Sequence, residues 1–214
     1  MFDINRVLLT FYSIYILVFL VILFVSTKLY KGYSISKFWI SALGEKSSKS
    51  RTLFNFSVII LGLLNTTFVN ILSNYLPRTI SSAASVVLLY IYSVSILLSG
   101  IFTKDSNFKI HNFLSRLLYF SGFFAFITLI KPILMSNDIS DWIVILNLLV
   151  LTTASIFLYS YTRMLKKLKN VPNTLENYHF TGKILSINNI AVWEWIAFVA
   201  ILIWHLIVSI ILLQ

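Results

Sequence analysis

"RVLLTFYSIYILVFLVILFVSTKLYKGYSISKFWISALGEKSSKSR", residues 6–51, joins an uncharged run to a short connector crowded with cations. The 21 residues between Arg6 and Lys28 carry no charge, and about 20 apolar residues let a helix cross a hydrocarbon core of about 30 Å. Residues 28–51 then hold Lys28, Lys31, Lys37, Lys46, Lys49 and Arg51 against one acid, Glu45. This alternation of a greasy run with a basic connector sets the pattern for the whole chain.

Uncharged intervals recur and predict spans at about 7–27, 52–75, 79–103, 111–131, 142–163 and 188–213. Pro77 in "NYLPRTISS" marks the turn between the second and third. The fourth is untidy, because it must begin near His111 and carry Arg116 inside its first turns, where a cation snorkels or finds a partner. The sixth holds Glu194 in its early turns. With 58% hydrophobic and 11% charged residues in 214, and a mean hydropathy of +0.89, too little polar surface remains to cover a water-soluble globule of this size. The expected fold is all-α: a single domain over residues 1–214, built as a six-helix transmembrane bundle.

The net charge of +10 would suggest a nucleic-acid partner in a soluble protein, but membrane topology accounts for it. The first, third and fifth connectors hold 14 Lys and Arg, whereas the N-terminus and the second and fourth connectors hold 3. By the positive-inside rule the odd connectors are cytoplasmic and both termini lie on the other side. The expected partners are membrane lipids, with anionic headgroups at the cytoplasmic face, and a membrane-protein partner or second copy; the expected location is the plasma membrane. The first span is too long, and lacks the A-x-A-like site, for a cleaved signal. Trp39, Trp142, Trp193 and Trp195 fall near span ends, where amphipathic rings favour the headgroup level.

Zero cysteines exclude disulfides, thiolate metal sites and a Cys nucleophile. No His pair at metal-ligand spacing, nucleophile elbow or Gly-rich phosphate loop occurs, so neither a metal nor a cofactor is expected. The residues the bilayer does not demand are Glu194, Arg116 and His205. Ser41, Asp105, His111 and Glu194 all fall at the cytoplasmic end, where a hydroxyl, an imidazole and a carboxylate would form a candidate catalytic cluster acting on lipid. Each has a plainer reading: Ser41 as a turn or cap, Asp105 as a turn residue, His111 as a cap, Glu194 as a partner of Arg116 or a Lys. His205 lies 11 residues past Glu194, about 16 Å along the helix and on the same face, where a packing histidine is the simpler reading. Asn55, Asn65, Thr66, Thr67, Asn70 and Asn147 read as interhelical hydrogen-bond donors and acceptors.

The motifs "GYS...WISALG", the following "FN", "GIFTKDSNFKIHN" and the late "EW" resemble prokaryotic six-span proteins of domain-of-unknown-function family nine-nine-eight. These are similar in turn to the Frag/DRAM/Sfk-type membrane proteins. The resemblance picks out Gly32, Tyr33, Ser34, Ser41, Leu43, Gly44, Asn55, Gly100, Phe102, His111 and Trp195. It implies six helices with the motif loops on one membrane face, and lends no established activity; some eukaryotic cousins are linked to lipid-anchor remodelling and others to membrane-lipid organisation. Where relatives commonly read Ser-Asp-Leu-Gly, this chain has Ser41-Ala42-Leu43-Gly44, so an activity relying on that acid would here be lost or would use Asp105 or Glu194.

Three functions compete. The first is a non-catalytic lipid-organising or accessory membrane protein, and the second a lipid-modifying hydrolase or transferase using the Ser/His/acid cluster. A transporter is third, opposed by the absence of inverted halves, matched broken spans and midplane charge. The enzyme requires Ser41 or Asp105 within hydrogen-bond reach of His111.

Overall fold

The computed structural model describes residues 3–168 and 190–214. Six helices among them are long and apolar enough to cross a membrane. They are α1 (Ile4–Leu29), α2 (Arg51–Ser73), α3 (Ile80–Ile101), α4 (Phe108–Leu134), α5 (Ile143–Leu168) and α6 (Ile190–Ile211), with a short 3₁₀ helix at Ile40–Gly44 between α1 and α2. The chain is an integral membrane protein.

Local chemistry sets several of the ends. The Asp3, Thr79 and Asn107 side chains cap α1, α3 and α4 by accepting from the N–H of Asn5, Ser82 and Ile110. After α1 the chain turns at Gly32, whose φ of +78° lies in the left-handed region where a side chain would be strained. Helix α4 starts at Phe108, so His111 lies in its first turn, and Pro132 sits inside its last turn rather than beyond it. The expected opening of the sixth span at Asn188 lies outside the described residues, as does most of the fifth connector.

Each helix packs on its chain neighbours, and α1 closes the ring against α6. Neighbouring helices alternate in direction, so the first and third connectors meet at one end and the second and fourth at the other. Glu45 pairs with Lys104 at the first end, and the Ser136 hydroxyl donates to the Tyr75 carbonyl at 2.8 Å at the second. Large aromatics fill the interior, among them Phe19, Phe68, Tyr92, Phe126 and Trp204. Outward faces carry exposed apolar side chains such as Phe11, Leu17, Phe24 and Ile145, suited to lipid.

Asparagines tie the helices together. Asn65 accepts from the Tyr12 hydroxyl at 2.6 Å and donates to the Ser93 hydroxyl at 2.8 Å, linking α1, α2 and α3. Asn147 donates to the Phe126 carbonyl across α4 and α5 at 2.7 Å, and Asn70 accepts from Tyr90. Thr66 and Thr67 instead donate to the Gly62 and Leu63 carbonyls of their own helix, because a short hydroxyl reaches the preceding turn more easily than a neighbour. Glu194 and His205 are both buried, on the inward face of α6.

Candidate functional site

The connector between α1 and α2 folds back into the end of the bundle. Tyr33 donates to the Trp39 carbonyl at 3.1 Å, and the turn feeds into the 3₁₀ helix, where Ile40, Ala42, Leu43 and Gly44 are buried. Backbone polar groups carried out of water need partners, and three elements supply them. On α6, Glu194 Oε2 accepts from the Ile40 N–H at 2.9 Å, and Trp195 Nε1 donates to the Tyr33 hydroxyl at 3.1 Å. On α2, Asn55 Nδ2 donates to the Gly44 carbonyl at 3.0 Å. From the turn between α3 and α4, Asp105 accepts from the Lys46 N–H, and Lys104 Nζ lies 3.2 Å from Glu45.

The two glycines nearest Asn55 explain why it fits. A Cβ on Gly44 would stand 2.1 Å from Asn55 Oδ1, and one on Gly100 would stand 2.8 Å from the Asn55 carbonyl oxygen. Burial pushes the Tyr33 phenol up, with the Glu194 carboxylate adding to it. Tyr33 therefore keeps its proton and can donate to Trp39 while accepting from Trp195. Most residues singled out by the motifs thus build and hold this folded-back connector. Ser34 accepts the Lys37 and Phe38 N–H groups, Leu43 is fully buried, and Phe102 offers its carbonyl to His111.

Two cavities lie beneath and beside the connector. The inner one, about 90 Å³, is lined by aliphatic and aromatic side chains including Phe54, Val58, Leu61, Ile96 and Phe198. The outer one, about 170 Å³, is lined by Lys104, Asn112, Arg116, Trp39 and Tyr161 among others. Ser41, His111, Ser115, Tyr119 and Glu194 line both. Both Glu194 oxygens are engaged, one by Ile40 and the other by the Tyr119 hydroxyl. His111 Nδ1 lies 2.9 Å from the Phe102 carbonyl, an acceptor, so Nδ1 carries a hydrogen, and Nε2 has no partner among the described residues. The Ser99 hydroxyl, in the last turn of α3, and the Thr103 hydroxyl, just past its end, line the inner cavity without hydrogen bonds among the described residues.

Ser41, His111 and Glu194 therefore share one site, and Asp105 does not: it is exposed and held by Lys46. Neither Ser41 nor Asp105 hydrogen-bonds to His111. Arg116 is exposed at the outer cavity and pairs with no acid among the described residues, so Glu194 is not its partner. Trp195 is 9% exposed and fastens the connector through its bond to Tyr33. His205 lies about three turns deeper, donating through Nδ1 to the Ile201 carbonyl and surrounded by Tyr12, Phe68, Tyr92 and Trp204. Among the described residues no three His, Asp or Glu side chains gather as metal ligands.

Sequence reasoning missed Tyr119, Ser115 and Asn112. The signal was present: His111, Ser115 and Tyr119 recur every four residues on one stripe of α4, with Asn112 and Arg116 on the adjacent stripe.

A family model described as "Protein of unknown function (DUF998)" matches residues 13–211. No curated protein and no solved structure matches the chain.

Proposed function

The chain belongs to the DUF998 family, and from that premise we propose that it is a non-catalytic, lipid-organising membrane protein that seats a phosphate-bearing lipid headgroup under its α1–α2 connector. The observation that carries the reading is the graded lining of the site. Arg116 and Asn112, neither with a partner among the described residues, stand at the outer cavity beside Lys104, and the surface of the inner cavity is mostly apolar. A guanidinium offers paired donors to phosphate oxygens, and the inner space accommodates the first carbons of an attached chain.

Chemistry on the lipid is the weaker reading. Among the described residues Ser41 has no base bonded to it, both oxygens of Glu194 are occupied in holding the connector, and Asp105 stands outside. The charge asymmetry between connectors supports a cytosolic position for this end, and we place the protein in the plasma membrane. The resemblance to Frag/DRAM/Sfk-type proteins, some of whose eukaryotic members are linked to membrane-lipid organisation, leans the same way.

Native mass spectrometry of the protein in micelles doped with phosphatidylglycerol tests the reading. Arg116→Gln removes a charge-assisted contact worth about 1.5–3 kcal/mol, so lipid occupancy is expected to fall about tenfold or more. Unchanged occupancy would contradict the proposal. Release of fatty acid or headgroup by the wild-type protein, lost in Ser41→Ala and His111→Ala, would replace it with the hydrolytic reading.

A further inference from the structure

A second pair of hollows lies on the outside of the bundle and shares no residue with the cavities under the connector. A groove of about 480 Å³ runs between α5 and α6, lined by Leu146, Val150, Trp195, Val199, Ile203 and Trp204. A polar hollow of about 640 Å³ lies at the start of the connector, lined by Lys28, Tyr30, Lys31, Ser34 and Ser36. Ile35 and Val192 line both, so the two are continuous.

From this continuity we infer that the outer face is a seat for an anionic phospholipid of the surrounding bilayer, with its phosphate at Lys28 and Lys31 and one acyl chain along the α5–α6 groove. The dimensions match. From Val192 to Ile203 the helix advances about 16 Å, close to the depth of one leaflet of a hydrocarbon core about 30 Å thick. The charges match as well. Lys28 and Lys31 form no ion pair among the described residues; Lys28 Nζ lies 5.4 Å from the Phe24 ring centroid. Among the described residues the acids at this end, Glu45, Asp105 and Glu194, are held by Lys104, Lys46 and the Ile40–Tyr119 pair, and none lines either hollow. A partner's transmembrane helix would fill the groove but leave the basic hollow unanswered. A phospholipid fills both.

The groove tryptophans supply the test. Trp39→Phe, Trp142→Phe and Trp193→Phe leave only Trp195 and Trp204 to fluoresce. In vesicles of unlabelled phosphatidylcholine containing a graded share of lipid with brominated chains, brominated phosphatidylglycerol should reach half-maximal quenching at a mole fraction at least threefold lower than brominated phosphatidylcholine. Lys28→Gln with Lys31→Gln should abolish that preference, and Arg116→Gln should leave it intact. Equal quenching by the two lipids would overturn the inference. So would loss of quenching by both alongside a co-purifying protein, which would put a partner helix in the groove. If the triple tryptophan variant does not fold, native mass spectrometry of Arg116→Gln protein, with and without the two lysine substitutions, replaces it. The lysine substitutions should lower phosphatidylglycerol occupancy at least threefold, and equal occupancy would overturn the inference.

Discussion

Glu194 hydrogen-bonds through both carboxylate oxygens, and the two groups it satisfies belong to different elements, the 3₁₀ helix and α4. A carboxylate in a span is costly unless its lone pairs are used, and here they fasten the connector to the bundle. Glu194→Ala strands the Ile40 N–H and the Tyr119 hydroxyl, at about 1–3 kcal/mol for each buried group left unpaired. Glu194→Gln keeps one acceptor oxygen and should lose about half as much, as thermal unfolding in detergent would measure. Gly44 and Asn55 make a second residue-scale case. Gly44→Ala brings a methyl onto Asn55 Oδ1 and should cost about 1–3 kcal/mol through overpacking. Asn55→Ala should cost about 1 kcal/mol through its lost bond to the Gly44 carbonyl. In the double variant the obstruction is gone, so the combined loss should be smaller than the sum; strict additivity would show that the two do not touch.

At the scale of the element, the helices were legible because hydrocarbon leaves so few solutions: an uncharged interval of sufficient length has to be a span. The ends were less legible, since caps such as Asp3 and Asn107 act through single hydrogen bonds that hydropathy does not register. The connector was legible as charge but not as structure. Nothing in "WISALG" announces that its backbone is buried, because the groups that make burial tolerable, Glu194, Trp195 and Asn55, lie far away in sequence or on another helix. Likewise Ser41, His111 and Glu194 could be placed at one end by counting spans, whereas the absence of a Ser41–His111 bond depends on rotamers that counting does not give. Closure of the ring by α1 and α6 is directly testable in a chain without cysteine. The Ser13 and Ser209 hydroxyls lie 2.7 Å apart, so Ser13→Cys with Ser209→Cys should crosslink within one chain under mild oxidation. Phe11→Cys, on an exposed position of α1, should not crosslink with the same partner.

For the whole molecule, twelve of the fifteen basic residues among the described residues fall at the end where the connector folds in. That end carries the site under the connector and the basic hollow beside it. In oriented membranes, single cysteines replacing Lys49 and Lys166 should react with an impermeant maleimide from the same side, and one replacing Arg78 from the other. The same chemistry tests the folded-back connector itself, on which the site depends. Ala42 is 3% exposed, whereas Lys49, seven residues on, is exposed. Ala42→Cys should be protected from the maleimide while Lys49→Cys reacts quickly, and adding Glu194→Ala should release the protection; labelling of Ala42→Cys as fast as Lys49→Cys in otherwise unaltered protein would contradict the account.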